Sequence, residues 1–504
     1  MINRRELMIG TAALGAAGVA TATRAADNLV RFPLHVFAQD SAKMASFRRG
    51  VQVMRSRPPS DPTSWFFQAA MHAVSQEAFE DAALADPKIL EVRDFFNQCP
   101  HFGAPSAEFL PWHRAYLYFF ERILRAASGN PALTLPYWDY TNEAQRTFPR
   151  EFARFVVPGS GGNEVNPLYH RNRQLSFVAG THALTAEAVA IDDLMLEPNF
   201  FGRTDEDGFG GGLSDADAGT KGLIERRPHD QLHFAIGGQI GDVSGAMADV
   251  PRAAFDPIFW VHHSNIDRIW AIWSGDPGRK WGALPPASYF DTDAWIFFDG
   301  DGTQKTVQRR IYFNHRDLGY VYADEDLSKA PLALPPATGG NPGVFDVAAR
   351  SRAVIAATRA LVFSSTEPTV VNFSDTAKFD SADTTLQDAM ASDVNDILVA
   401  FNGLSFRNAP LSGFDVYVNP GPADTRASSP YLGTLGLFGL DHSHHGPAGS
   451  QSFNVTERLR AMPKTSDLII KIVPFDLLTS DSEGPLRNGV ELEVASIELQ
   501  AVSR

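Results

Sequence analysis

Hydrophobic periodicity changes once along this 504-residue chain, and that change limits the architectures open to it. Upstream of about residue 328, apolar residues recur at helical spacing over Trp65–Phe79, Phe109–Ala126, Arg227–Ile236 and Pro257–Trp273. Downstream the period is two, over Thr369–Phe373, Asp396–Phe401, Phe414–Asn419, Asp467–Val473 and Val490–Ile497, each stretch bounded by turn residues. Between the two textures, Ala330 to Pro342 is rich in proline and glycine and reads as a linker. The expected fold is therefore a mainly α domain followed by a smaller all-β antiparallel domain, a sandwich or a barrel. A long irregular stretch over 141–225 exceeds what a compact domain usually tolerates without purpose, and such loops can wall a pocket.

The balance of 59 acidic against 44 basic residues, net charge −15, has the wrong sign for a phosphate-neutralising surface and argues against nucleic acid as a partner. A single cysteine, Cys99, excludes an intramolecular disulfide and any cysteine-rich metal cage. Arg4-Arg5, the apolar small-residue run Ile9 to Ala20, and the Ala and Thr residues after it have the order of a twin-arginine signal peptide over 1–26. The mature product is then expected to be periplasmic or secreted. The run is too short to span a bilayer, and no later stretch is long and apolar enough, so no membrane insertion is expected after signal cleavage.

Chemistry is concentrated in the 14 histidines. His229 and His233 are four apart, so on a helix both imidazoles leave one face within reach of one metal. Asp230 stands where a zinc peptidase of the His-Glu-x-x-His type has its glutamate, with Gln231 after it, so that chemistry is disfavoured. His262-His263 on the next helical stretch offers a third ligand, and His72, His101 and His113 form a second group upstream. Two sets of three neutral imidazoles favour copper over magnesium, calcium or iron–sulfur clusters, with zinc open on ligand type alone. His35, His170, His182 and His315 are isolated and read as surface or hydrogen-bonded side chains, and the tract His442, His444, His445 reads as a polar turn.

These motifs resemble a known family. Phe109-Leu110-Pro111-Trp112-His113-Arg114 with Glu121 is similar to the first copper signature of tyrosinases and catechol oxidases, and Asp256-Pro257-Ile258-Phe259-Trp260-Val261-His262-His263 through Asp267-Arg268 to the second. The segment Ser64 to His72, Glu225 through Pro228-His229 with His233, Gly319-Tyr320-Val321-Tyr322, and Phe414-Asp415-Val416-Tyr417 resemble further blocks of the plant polyphenol oxidases.

The resemblance implies a four-helix-bundle core holding two copper ions, copper A on His72, His101 and His113 and copper B on His229, His233 and His263, with His262 a neighbour. It implies dioxygen and small phenols as substrates: ortho-hydroxylation of monophenols, oxidation of catechols to o-quinones, or both. A diphenol-only catechol oxidase and a hemocyanin-like oxygen-binding protein are the alternatives. His101 departs from the family's spacing, which would point to Ala104, while Cys99-Pro100-His101 matches the Cys-x-His in which some relatives form a thioether. Glu225 matches the family's water-orienting glutamate, and Asp230 stands beside the first copper-B ligand. Phe259 is expected against the copper-B ligands, and Val250 near the entrance, where a small side chain leaves room for a monophenol. The implied organisation is a signal over 1–26, a catalytic domain over 27–328, a linker over 329–365 and a C-terminal β domain over 366–504 that shields the copper site until the linker is cut.

Overall fold

The computed structural model describes residues 29–100, 106–159, 161–202, 208–212, 221–285, 287–334, 352–373, 395–428, 430–440, 449–461 and 468–503. The expected signal, His101 and the tract His442, His444, His445 lie outside them. Among the described residues no helix is long and apolar enough to cross a membrane.

Helices α1 (Ser41–Arg55), α2 (Trp65–His72), α3 (Phe109–Ser128), α4 (Asp230–Gly237) and α5 (Ile258–Ser274) form the N-terminal part. Helix α3 has a strongly one-sided apolar pattern and ends at Gly129, whose φ of 69° suits a residue without a Cβ. Helix α5 is buried nearly all round, as a helix at the centre of a core must be. The two meet through Phe120 stacked on Trp260, ring centroids 3.4 Å apart. Helix α1 approaches α3 closely at Gly50, where a Cβ would lie 2.6 Å from Leu124 Cδ1.

Two helices differ from the sequence expectation. The stretch read as one helix over 65–79 breaks after His72: Ala73 is extended, and Ser75 caps a separate helix, Gln76–Ala85, by accepting from Ala78 N–H. The cause is a strand-like segment crossing the end of α2. The N–H groups of Asn97, Gln98 and Cys99 donate to the carbonyls of Ala70, Met71 and His72, the groups a helix C-terminus leaves unpaired. Asn97 makes the turn with a φ of 57°. The other difference is at 225–229, where a wide irregular turn containing Pro228 precedes α4.

The C-terminal region is antiparallel β. One four-stranded sheet has the order β4 (Arg352–Ala357), β12 (Ser496–Ser503), β6 (Asn395–Asn402), β9 (Gln451–Asn454), with Val399 opposite Leu499. The other has the order β5 (Thr369–Asn372), β10 (Ile469–Asp476), β7 (Ser412–Val418), β8 (Tyr431–Thr434), with Val416 opposite Ile472. No sheet closes into a barrel among the described residues. The sheets begin at Arg352, inside the 329–365 span read as linker, so that span is not all connection. The stretch read as one strand over 490–497 is divided, Leu492–Val494 and β12 pairing with different neighbours.

The two regions are joined over a wide front. Strand β11 (Leu478–Ser480) pairs antiparallel with β2 (Ala183–Leu184) of the N-terminal part, and one apolar cluster runs from Leu34 and Phe37 through the helices to Leu499 and Ala501.

Candidate metal centre

Four helices deliver the histidines. His72 is the last residue of α2, His113 lies in the second turn of α3, His233 on α4, His263 on α5, and His229 closes the wide turn leading into α4. All five are buried. In one group, one ring nitrogen from each of His229, His233, His262 and His263 lies within 4.8 Å of the others; in a second, donor atoms of His72, Cys99 and His113 do the same. The groups face each other, with the His113 and His263 rings stacked at 4.4 Å and 14°.

Each ring is oriented from behind. Nδ1 of His113 is 2.8 Å from the Phe109 carbonyl, Nδ1 of His233 is 2.6 Å from that of Met247, and Nδ1 of His229 is 2.9 Å from Asp230 Oδ1. A carbonyl or carboxylate at Nδ1 takes the proton there and leaves Nε2 with its lone pair for a metal, the usual outer-shell arrangement of histidine ligands. Burial depresses the His263 pKa far below the ordinary imidazole value and that of His262 to about 3, so both rings are neutral, the ligating form. Both ring nitrogens of His263 are buried without a hydrogen-bond partner. Neutral imidazoles of fixed tautomer, with one soft sulfur beside them, fit copper and not a hard, oxygen-seeking cation. Phe259 packs its ring on His263 at 4.0 Å and against His72 at 5.0 Å.

Cys99 Sγ is 3.7 Å from His113 Nε2 and buried. The capping of α2 by residues 97–99 carries it there. Its partner in the expected thioether, His101, is outside the described residues, so the second group is described by His72, His113 and Cys99.

Glu225 and Asp230 are both buried at either end of the turn that carries His229 and share a cation absent from the sequence reading. Lys221 Nζ lies 2.8 Å from Asp230 Oδ2 and 3.5 Å from Glu225 Oε1. Burial pushes the Asp230 carboxyl up to about 7, Lys221 opposing and Glu225 adding to the shift. Val250 begins a short helix, Val250–Ala253, and is buried in the same apolar cluster as Phe259.

The sequence reading also missed Phe438. It belongs to the loop after β8, some two hundred residues beyond α4, yet its ring stacks on His233 at 3.8 Å and 19° and meets His229 edge-on at 5.7 Å. The backbone of this loop is gripped at both polar atoms: Phe438 N–H donates to Asp230 Oδ2 at 3.2 Å, and Lys221 Nζ donates to the Phe438 carbonyl at 2.6 Å. Gln231 Nε2 donates to the Leu435 carbonyl nearby. The only cue in the sequence is an aromatic residue between Gly436 and Gly439 in a short apolar loop.

Residues 62–276 match the family described as the common central domain of tyrosinase. The chain is similar to a tyrosinase of Hahella sp., 31% identical over 309 residues that make up 57% of this chain and 62% of that protein. It is also similar to aureusidin synthase of Antirrhinum majus, 29% identical over 57% of this chain and 50% of that one, and to a chloroplastic polyphenol oxidase of Malus domestica, 25% identical over 82% and 69%. The chain thus spans between half and two thirds of the first two relatives. Among solved structures, a latent apple tyrosinase superposes with TM-score 0.57 at 21% identity, covering 95% of this chain and 98% of that one, and a recombinant latent aurone synthase with TM-score 0.57 at 19%, covering 95% and 90%; both likenesses are of fold. Residues 62–276, which place their histidines in two facing groups, thus form a domain of the tyrosinase family, whose members are binuclear copper enzymes.

Proposed function

We propose that this chain is a dicopper phenol oxidase, hydroxylating monophenols at the ortho position and oxidising catechols to o-quinones with dioxygen, and that its C-terminal β region keeps the site closed. The observation that carries this reading is the aromatic ring of Phe438 stacked on His233 and edge-on to His229, where a phenol of the same ring size would lie. Copper A is assigned to His72, His101 and His113 and copper B to His229, His233 and His263; when bound, the pair supplies the electrons and Lewis acidity for reaction with dioxygen.

The side chains do the rest. Phe109 and Phe259 form apolar walls against His229 and His263, which favours a flat aromatic guest. A phenol must lose its proton on binding, and Glu225, buried at the start of the wide turn, is the residue to orient the accepting water. Asp230 holds the His229 ring, and Lys221 neutralises the two carboxylates while the site is closed. Val250 is small enough to leave the entrance open to a monophenol. Residues 1–26 direct export, and exchanging Arg4 and Arg5 for lysine should retain the protein in the cytoplasm, as fractionation would reveal.

The test is oxygen uptake and quinone formation by copper-loaded full-length chain and by its Phe438→Gly variant, with a simple monophenol and the matching catechol. Low turnover by the former and turnover of both substrates by the latter is expected. Turnover of catechol alone would make it a catechol oxidase. Reversible oxygen binding with neither substrate consumed would make it an oxygen carrier.

A further inference from the structure

Phe438 is held in the way a bound molecule is held. Its ring stacks on His233 at 3.8 Å, its N–H donates to Asp230 Oδ2 at 3.2 Å and its carbonyl accepts from Lys221 Nζ at 2.6 Å, so the ring and both polar backbone groups of one residue are engaged together. The backbone just before it is mostly paired inside the C-terminal region: Leu435 N–H donates to the Phe414 carbonyl, Gly436 N–H donates to Gln451 Oε1, and the Gly436 carbonyl accepts from Gln451 Nε2. Phe438 is gripped instead by side chains of the N-terminal part, which stay beside the histidines when the loop is withdrawn. Lys221 and Asp230 are buried, and what the loop takes from them is one carbonyl and one N–H. A buried donor and acceptor deprived of those partners cost free energy, so an incoming molecule that supplies both is favoured over one that supplies neither.

The skeleton of Phe438 defines that molecule. One methylene joins its ring to the carbon that bears the N–H and the carbonyl, and a tyrosyl residue has the same skeleton with one hydroxyl added to the ring. Charge selects its form. Lys221 Nζ lies 2.8 Å from Asp230 and 3.5 Å from Glu225, one cation between two carboxyl groups, with no positive charge to spare for a third carboxylate. A neutral amide carbonyl meets no such opposition.

We infer that Lys221 and Asp230 form a specificity-determining subsite for the polar tail of the substrate, and that the open site takes tyrosine linked on both sides through amides, as in a peptide, in preference to phenols without such a tail. The inference rests on the phenol-oxidase reading and names a substrate class for it. Phe438 is then an occupant of that subsite supplied by the chain itself.

The test uses the copper-loaded full-length chain from which Leu437, Phe438 and Gly439 are deleted, removing the ring and the gripped backbone together, after a check of native far-UV circular dichroism and cooperative unfolding. If it does not fold, Gly436→Val/Phe438→Gly carries the same readouts, since a Cβ at Gly436 lies 2.9 Å from both Asp230 Oδ2 and Lys221 Cδ. Calorimetry should show N-acetylphenylalaninamide, which has no hydroxyl to be oxidised, binding about tenfold tighter than hydrocinnamamide, which lacks the N–H, and than N-acetylphenethylamine, which lacks the second carbonyl. Phenylalanine, a carboxylate in place of the amide, should also bind more weakly. With Lys221→Met added, the advantage over N-acetylphenethylamine should disappear and the advantage over hydrocinnamamide remain. Equal affinities across the set, phenylalanine binding as tightly as the amide, or an advantage untouched by Lys221→Met would each overturn the inference. In the oxidation assay kcat/KM should be higher for N-acetyltyrosinamide than for para-ethylphenol. Equal efficiency with both would overturn the inference, whereas oxidation of neither would overturn the phenol-oxidase reading itself, so the two failures are distinguishable.

Discussion

At the scale of single residues, the most heavily engaged side chain behind the site is Asp267 on α5. Its two oxygens accept from Arg114 Nε at 2.5 Å, Arg31 Nη1 at 3.3 Å and the hydroxyls of Tyr320 and Tyr322 at 2.6 and 2.5 Å. It ties α3, α5 and strands β1 (Leu29–Arg31) and β3 (Tyr320–Tyr322) into one node. Burial alone would push this carboxyl up, but Arg114 and Arg31 overcome it and hold it below the ordinary value. A depressed folded-state pKa contributes stability that is present above the unfolded carboxylate's pKa and is lost as pH falls through the folded value. Asp267→Asn should therefore lower the unfolding free energy by about 3–5 kcal/mol at neutral pH, because it strands the buried Arg114 guanidinium, while Arg31 keeps Glu121 at 2.9 Å. Urea denaturation would show it, and the gap from wild type should narrow only in acid below the ordinary carboxylate range. The sequence displays Asp267 inside a recognisable motif, but not its partners, which are up to 236 positions away. Phe438 escaped notice for the same reason, acting through contacts some two hundred residues away, whereas Lys221 stands only four residues before Glu225 and offered a local spacing that was passed over. His229 and His233 stood out in the sequence by their helical spacing, whereas His72, His113 and His263 stood out only through the motifs that carry them.

At the scale of elements, two glycines set how closely pieces of the site approach. Gly237 ends α4, and a Cβ there would lie 2.2 Å from the backbone nitrogen of Ala248. The turn over 246–248 would have to move, and it carries the Met247 carbonyl that fixes His233. Gly237→Ala should cost about 1–3 kcal/mol through overpacking and weaken the second copper, seen as reduced metal content after dialysis. Gly436 is the counterpart on the β side: a Cβ would sit 2.9 Å from Asp230 Oδ2 and Lys221 Cδ and 3.0 Å from Arg226 Cγ. Gly436→Val should act as a wedge under the Phe438 loop. The same overpacking energy, applied to the closed form alone, shifts the closed-to-open balance by roughly tenfold or more, and oxygen uptake by the uncut chain with catechol should rise accordingly. Unchanged uptake would mean that the loop does not gate the site. The long helices α3 and α5 were predictable to within two residues, since their periodicity is uninterrupted. The end of α2 was not, because it is imposed by the distant segment 97–99.

At the scale of the whole molecule, the way the two regions are held together decides how the closed form can open. Besides the grip on Phe438, Thr185 N–H donates to the Leu477 carbonyl and its hydroxyl to that of Asp476, extending the β2–β11 pairing. Arg426 donates to the Glu187 carbonyl, Arg227 to the Tyr431 hydroxyl, and Ala409 N–H to Gln239. Beneath these polar contacts the apolar cluster is continuous from one region to the other. Such a junction resembles a domain core more than a transient interface, and cutting the covalent connection removes none of these contacts. The expectation that linker cleavage alone unshields the site therefore needs a second event that separates the regions. With a protease site engineered within 335–351, the cut halves should elute together in size-exclusion chromatography and keep the low turnover of the uncut chain. Subdenaturing urea should then separate them and raise turnover, because the contacts that remain are non-covalent and weaken in proportion to denaturant. Separate elution with full turnover on cutting alone would mean that the connection, and not the junction, is what holds the molecule closed.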